Sequence, residues 1–107
     1  MKSDTDRLLG TVLADKYRIQ SLLGMGGFAS VYLADHVKLE SLRYAVKVLR
    51  RMHLGDPTMV RRFEREAKTI ALLRSRYTVK VADFGVIEDS VPYIVMEYVP
   101  GLTVRDI

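Results

Sequence analysis

Residues 23–31 are Leu-Gly-Met-Gly-Gly-Phe-Ala-Ser-Val, a glycine-rich segment of the form G-x-G-x-x-A-x-V. Glycines lack side chains and let backbone N–H groups approach a phosphate, so this segment is a candidate phosphate-binding loop. In dinucleotide-binding folds a helix follows such a loop, and an acidic residue comes about 20 residues later. Here the apolar run Val31–Ala34 follows, and Lys47 replaces the acid. The segment therefore predicts the tip of a β-hairpin, and a plain hairpin without a ligand stays open at this point.

The segments around the loop predict an α+β fold. Strand-like residues occupy 17–23 before the loop and 43–49 after it, and in the latter Ala45, Lys47 and Leu49 point to one face. Two further strands are predicted at 79–82, running to the turn signal Gly85, and at 92–96. With one helix between the third and fourth strands, this order predicts a five-stranded, mostly antiparallel sheet with one main helix packed on it.

The helix is predicted to begin after Asp56-Pro57 and to continue to about Leu73. Aspartate suits the N-cap and proline suits the first helical position. One side of the helix is apolar, and Glu66 falls inside that apolar arc. A buried carboxylate needs a cation, and Lys47 on the third strand is the natural candidate. We therefore expect Lys47 and Glu66 to pair. The apolar arc contains Met59, Phe63, Ala67, Ile70 and Leu73.

Composition excludes several other classes of protein. The 107 residues contain no cysteine and only two histidines, which excludes a disulfide scaffold or a thiolate metal site. No apolar run approaches the ~18–20 residues of a membrane helix, and a cytoplasmic location is favoured. The net charge of +4 does not indicate a nucleic-acid surface, because Glu64 and Glu66 interrupt the basic run and no aromatic residues interleave it.

These motifs, in this order, resemble the N-terminal, ATP-binding lobe of a bacterial eukaryotic-like serine/threonine protein kinase. The resemblance covers residues 12–107 and includes four further segments. These are Gly-Thr-Val-Leu at 10–13, Tyr-Ala-Val-Lys at 44–47, Arg-Phe-Glu-Arg-Glu-Ala at 62–67 and Pro-Tyr-Ile-Val-Met-Glu-Tyr-Val at 92–99. Ala29 departs from the third glycine of the family pattern, and Ser75-Arg76 stands where His-Pro is frequent.

The resemblance implies a role for each matching residue. Lys47, positioned by Glu66, would hold the ATP phosphates, and Met96 would lie at the back of the pocket. The backbone of Glu97 and Val99 would bind the adenine edge. The loop residues Gly24, Met25, Gly26, Gly27, Phe28 and Ala29 would cover the phosphates, and Leu23, Val31 and Ala45 would enclose the adenine.

The resemblance also implies a division of the chain into a flexible leader at 1–11, the kinase lobe at 12–99, and a hinge exit at 100–107 that begins the first helix of a missing C-lobe. The catalytic loop and the magnesium ligands would lie in that C-lobe. The parent would then be an ATP- and Mg-dependent transferase that phosphorylates serine and threonine hydroxyls of proteins in bacterial signalling. This chain alone would be inactive and would bind ATP weakly. It would also self-associate, because Val31, Ala45 and Met96 would line an exposed apolar cleft that a C-lobe would cover. A pseudokinase scaffold and an unrelated α+β binding protein are the alternatives.

Residues 83–85 are Asp-Phe-Gly, the triplet that binds magnesium in kinases. The triplet precedes the predicted hinge at 97–99, whereas the metal-binding triplet follows both the hinge and the catalytic loop. The resemblance to bacterial kinases implies instead that this triplet ends the fourth strand, where Asp83 and Gly85 suit a turn and Phe84 packs.

Overall fold

The computed structural model describes residues 7–26, 28–72, 80–87 and 90–98. These residues form six antiparallel strands in the order β1-β2-β3-β4-β6-β5. One main helix, α1, lies between β4 and β5 and is followed by the edge hairpin β5–β6. The elements are β1 (Val12–Leu13), β2 (Tyr17–Met25), β3 (Ala29–His36), β4 (Arg43–Leu49), α1 (Pro57–Leu72), β5 (Val81–Ile87) and β6 (Val91–Glu97).

The predicted antiparallel sheet with one packed helix is confirmed, with one strand more than predicted. The additional strand, β1, has only two residues, which is too short to show an alternating pattern in the sequence. It pairs Val12 with Arg18 and Leu13 with Tyr17. The first two residues of the predicted kinase lobe, Val12 and Leu13, therefore form an edge strand of the sheet.

Asp56 and Pro57 begin α1 as predicted. The Asp56 carboxylate accepts a hydrogen bond from the backbone N–H of Thr58 at 3.0 Å, which satisfies one of the free donors at the helix start. Phe63 and Ala67 are the buried residues of the helix whose side chains are described. The predicted end at Leu73 lies outside the described residues.

The two faces of the sheet pack against different partners. The helix face packs against Phe63 and Ala67 of α1 through Ala29, Leu49, Ile94 and Met96. The far face contributes a second core, and none of the α1 residues with described side chains belongs to it. This far-face core contains Leu13, Tyr17, Ile19, Tyr32, Ala34, Val46, Val48, Val91, Tyr93 and Val95.

A contact across the far face shows that the sheet is strongly curled. The Tyr17 hydroxyl donates to the Asp83 carboxylate at 3.2 Å, although three strands separate β2 from β5 in the sheet. The Tyr17 ring also lies edge-on to Tyr44, with ring centroids 5.0 Å apart. A flat sheet would keep β2 and β5 roughly 15–20 Å apart. The far-face core is therefore enclosed by the curl of the sheet itself.

This contact makes stability fall at alkaline pH. Burial, reinforced by the neighbouring Asp83 carboxylate, raises the pKa of Tyr17 from 10.0 to about 12. The contribution of Tyr17 to the free energy of unfolding is fully present below the unfolded-state pKa of 10.0. It is lost as pH rises through the folded-state pKa, because the unfolded chain releases the Tyr17 proton at a lower pH than the folded chain. We expect a loss of about 2–3 kcal/mol between these two pH values.

Chemical unfolding of the wild type and of Tyr17→Phe, measured at several pH values, checks this expectation. Near neutral pH the variant should be less stable by about 0.5–1.5 kcal/mol, because it lacks the hydrogen bond to Asp83. The difference should shrink and then reverse above about pH 10, because phenylalanine does not ionise. A difference that stays constant with pH would contradict the role given to Tyr17.

Candidate nucleotide-binding site

The sheet register places Lys47 at the middle of the helix face. Lys47 on β4 pairs with Val31 on β3 and with Ile94 on β6, so the three side chains form a row across three strands. One step along the same face, Ala45 pairs with Leu33 and Met96. The residues predicted from separate motifs to contact a nucleotide, Val31, Ala45, Lys47 and Met96, are therefore neighbours on one surface.

Three of these four residues are buried. Val31 is 2% exposed, and Ala45 and Met96 are each 0% exposed. The expectation that these three residues line an open apolar cleft is therefore wrong for this structure, because almost none of their surface reaches solvent. Lys47, whose side chain is 14% exposed, is the member of the row that reaches solvent.

Lys47 and Glu66 form the predicted pair, with Nζ and Oε2 3.4 Å apart. This proximity argues against the unrelated binding protein, which would need the two motifs to coincide by accident. The expectation that Glu66 is buried is wrong, however, because its side chain is 37% exposed. Phe63 and Ala67 fill the centre of the helix interface, and the long Glu66 side chain extends from its edge. An ion pair this exposed adds no more than about 1 kcal/mol to stability.

The glycine-rich loop is shorter than predicted. β2 continues to Met25 and β3 begins at Ala29, so the residues between the two strands are 26–28. The Gly26 N–H donates to the Ala29 carbonyl at 2.8 Å, which adds one more rung to the hairpin. This N–H could bind a phosphate only after that hydrogen bond opens. Leu23 lies at an irregularity between Leu22 and Gly24, where the pairing with β3 shifts.

Phe28 points from the loop toward the helix. Its ring lies edge-on to Phe63 with centroids 6.3 Å apart, and its carbonyl accepts the Arg50 N–H at 2.8 Å. Lys47 Nζ lies 5.4 Å from the ring centroid. The sequence predicted Phe28 only as one residue of a loop over the phosphates, but the structure gives it a fixed place beside the Lys47–Glu66 pair.

Arg62 is a member of this cluster that the sequence analysis did not single out. Its Nε lies 3.6 Å from Glu66 Oε1, and its Cζ lies 5.0 Å from the Phe28 ring centroid. The spacing of four residues between Arg62 and Glu66 on a helix was the available signal, because such side chains are neighbours. Nothing in the sequence indicated the contact with Phe28.

The hinge is only partly described. Glu97 ends β6, pairs with Tyr44, and donates its N–H to the Lys80 carbonyl at 3.0 Å. Tyr98 donates its N–H to the Arg43 carbonyl at 3.2 Å. The predictions for Gly27, Val99 and residues 100–107 fall outside the described residues.

Asp83-Phe84-Gly85 lies inside β5, so its prediction as a turn is wrong. Asp83 belongs to the far face, where Tyr17 binds Oδ2 and the Phe84 N–H binds Oδ1 at 2.9 Å. Phe84 is 43% exposed and therefore does not pack in the interior as predicted. The triplet forms a strand because Asp83 and Gly85 pair with Val95 and Tyr93 of the buried strand β6, and this pairing overrides their turn preference.

No metal cluster is present within the described ranges: three or more His, Asp or Glu side chains do not come together in a metal-binding arrangement. Across the same ranges, no helix has the length and apolar character that a membrane crossing requires.

Comparison with known proteins agrees with this geometry. The chain is 40% identical over 104 residues to the serine/threonine-protein kinase pkn3 of Myxococcus xanthus, covering 97% of the chain and 19% of that protein. It is 46% identical over 98 residues to the serine/threonine-protein kinase PknB of Mycobacterium leprae, covering 89% of the chain and 16% of that protein. The chain thus spans less than a fifth of either relative.

A solved structure shows the same fold. The PknI kinase domain of Mycobacterium tuberculosis superimposes with a TM-score of 0.63 at 31% identity, covering 84% of this chain and 35% of that one. The antiparallel sheet with its helix is therefore a kinase N-lobe arrangement. The family model described as "Protein tyrosine and serine/threonine kinase" matches residues 17–107. Because this match includes the loop, Lys47, Glu66 and the hinge segment, the chain belongs to the protein kinase family.

Proposed function

We propose that this chain is the ATP-binding lobe of an active serine/threonine protein kinase, which transfers the γ-phosphoryl group of ATP to serine and threonine hydroxyls of proteins. The observation that supports this most directly is the Lys47–Glu66 pair, 3.4 Å apart and next to the glycine-rich loop. Lysine is a point charge with three N–H donors. Glu66 accepts one donor and leaves others for phosphate oxygens.

The remaining roles follow from the helix face. Leu23, Val31, Ala45 and Met96 supply apolar contacts for the adenine ring, and the backbone of Glu97 and Val99 binds its polar edge. The loop from Gly24 to Ala29 covers the phosphates. Since Val31, Ala45 and Met96 are buried in this structure, adenine binding requires a rearrangement that exposes them.

The test is phosphoryl transfer by the full-length protein. Incubation with ATP labelled at the γ-phosphate and with magnesium should label serine and threonine of the kinase itself or of a general protein acceptor. Labelled tyrosine alone would contradict the serine/threonine assignment. Complete absence of transfer in a folded protein that binds ATP would favour the pseudokinase alternative, a scaffold or nucleotide sensor.

The described residues do not fit a magnesium site, because no three of their His, Asp or Glu side chains come together and the Asp83 carboxylate is engaged by Tyr17 on the far face. We therefore place the metal ligands outside these residues and propose the 107-residue chain alone to be inactive, with weak ATP affinity. A cytoplasmic location and self-association of the isolated chain stay predictions. Exposure of Val31, Ala45 and Met96 no longer supports self-association, because these residues are buried.

Asp83→Asn tests the placement of the metal site. In the full-length kinase we expect near-normal turnover and an unchanged dependence on magnesium concentration. The stability loss should be about 0.5–1.5 kcal/mol, because asparagine can still accept from Tyr17 but without the charge. Turnover measured across a magnesium titration, beside thermal unfolding, checks this. Collapse of activity in a folded variant would show that Asp83 binds the metal.

A further inference from the structure

We propose that Phe28 and Arg62 form a latch that fastens the glycine-rich loop to helix α1 and thereby positions the loop and Glu66 relative to Lys47. This Phe28–Arg62 latch rests on the proposed ATP-binding function and adds two positioning residues to it. Its basis is the meeting of the loop, the helix and β4 at one aromatic ring.

Phe28 is held from both its backbone and its side chain. Its carbonyl accepts the Arg50 N–H just beyond the end of β4, at 2.8 Å. Its ring lies edge-on to Phe63, which is 0% exposed and belongs to the rigid interface between helix and sheet. Such edge-to-face pairs are favourable because a positive ring edge meets a negative ring face. The second half of the loop is therefore anchored, while Met25 at the end of β2 is 53% exposed.

Two cations share the same ring. Arg62 Cζ lies 5.0 Å and Lys47 Nζ lies 5.4 Å from the ring centroid, both within the range of cation–π attraction. Two cations this close would repel each other without an anion. The Glu66 carboxylate supplies it, with Oε1 3.6 Å from Arg62 Nε and Oε2 3.4 Å from Lys47 Nζ. Lys47 and Arg62 therefore each contact both the Phe28 ring and the Glu66 carboxylate. A displacement of any of these four groups weakens contacts made by the others.

The position of the ring favours a positioning role over a blocking one. Phe28 lies at the Leu49–Arg50 end of β4, whereas the residues proposed to contact adenine, Ala45 and its partner Met96, lie on the other side of Lys47. Lys47 therefore lies between the Phe28 ring and the proposed adenine position. The ring can thus hold the loop down without occupying the adenine position.

The test uses the full-length kinase and separates the KM for ATP from kcat and from the KM for the protein acceptor. Phe28→Leu keeps an apolar side chain against Phe63 but removes the aromatic face. We expect it to raise the KM for ATP about three- to tenfold, with little change in the KM for the acceptor. Phe28→Tyr keeps the ring face and should restore the wild-type KM for ATP to within about twofold.

Arg62→Met and Arg61→Met form a matched pair on the helix. Both remove one positive charge from an exposed position, but only Arg62 contacts Phe28 and Glu66. Arg62→Met should raise the KM for ATP about threefold or more, and Arg61→Met should leave it unchanged. The effect of the double variant Phe28→Leu with Arg62→Met should be smaller than the sum of the two single effects, because both single changes break the shared contact between Arg62 and the Phe28 ring.

Several results would overturn the latch. These are an unchanged KM for ATP in folded Phe28→Leu, failure of Phe28→Tyr to restore it, or additive effects in the double variant. A lower KM for ATP in Phe28→Leu would show instead that the ring blocks the nucleotide. If Phe28→Leu does not fold, the comparison of Arg62→Met with Arg61→Met decides. An inactive wild type would refute the proposed function, whereas an active wild type with an unaltered Phe28→Leu would refute the latch alone.

Discussion

Lys47→Met is expected to lower the rate of phosphoryl transfer by the full-length kinase by about a hundredfold or more. Removal of one preorganised charged group that stabilises a transition state commonly has an effect of this size. The fold should remain, because methionine replaces the apolar stem of the lysine and the lost ion pair is partly exposed. Initial rates at saturating ATP, measured beside thermal unfolding of both proteins, check both halves of this expectation.

Two further variants make the Lys47 result specific. Lys38→Met removes an equal charge from an exposed turn remote from Glu66, and its activity should match the wild type. Glu66→Gln should be milder than Lys47→Met, because glutamine can still accept a hydrogen bond from the ammonium. Wild-type turnover in folded Lys47→Met would show that this lysine does not act on the phosphates, whatever its distance from Glu66.

Gly85→Ala is expected to destabilise the 107-residue chain by about 1–3 kcal/mol, the usual effect of overpacking a core. Gly85 pairs with Tyr93, and the Tyr93 ring lies directly over it. An added Cβ would lie 2.5 Å from Tyr93 Cζ and closer still to its hydroxyl. Tyr93 is 5% exposed and therefore cannot swing into solvent without leaving the far-face core.

Thermal unfolding measures this effect, and a decrease in Tm of about 5–15 °C is expected. Gly55→Ala is the matched control, because a Cβ at Gly55 meets no atom within 4 Å and the backbone there is not left-handed. That variant should change stability by less than about 0.5 kcal/mol. Equal Tm values for Gly85→Ala and the wild type would mean that the Tyr93 ring repacks freely, which contradicts an enclosed far-face core.

Several features were predictable because they depend on neighbours along the chain. The helix start followed from Asp56 and Pro57, whose preferences for the N-cap and first position are local. The face of Lys47 followed from the alternation of side chains along β4. The Lys47–Glu66 pair needed one step more, the assumption that a carboxylate in an apolar arc requires a cation, and the 3.4 Å distance confirms the pair. The same assumption led to the wrong expectation that the Glu66 side chain is buried, whereas it is 37% exposed.

Features that depend on the curl of the sheet were not predictable. Aspartate and glycine are turn-forming residue types, and nothing near Asp83 and Gly85 in the sequence indicates that the Tyr17 hydroxyl, 66 residues earlier, contacts Asp83. Twist accumulates across many strands and brings distant strands together. The Phe28 ring reaches Arg62 for a related reason, because the docking of the helix on the sheet decides which helix residue meets the loop.

The sequence by itself determined the order of the five longer strands and the helix, the hairpin around the glycine-rich loop, and the pairing of Lys47 with Glu66. Short-range periodicity and charge balance carry that information. Tertiary structure alone decided that Asp83 serves the far-face core, that Val31, Ala45 and Met96 are buried, and that two cations contact the Phe28 ring. The physical reason is that each of these three features depends on the curvature of the sheet and on the position at which the helix docks on it. Both result from the packing of many side chains together, and no single segment encodes them.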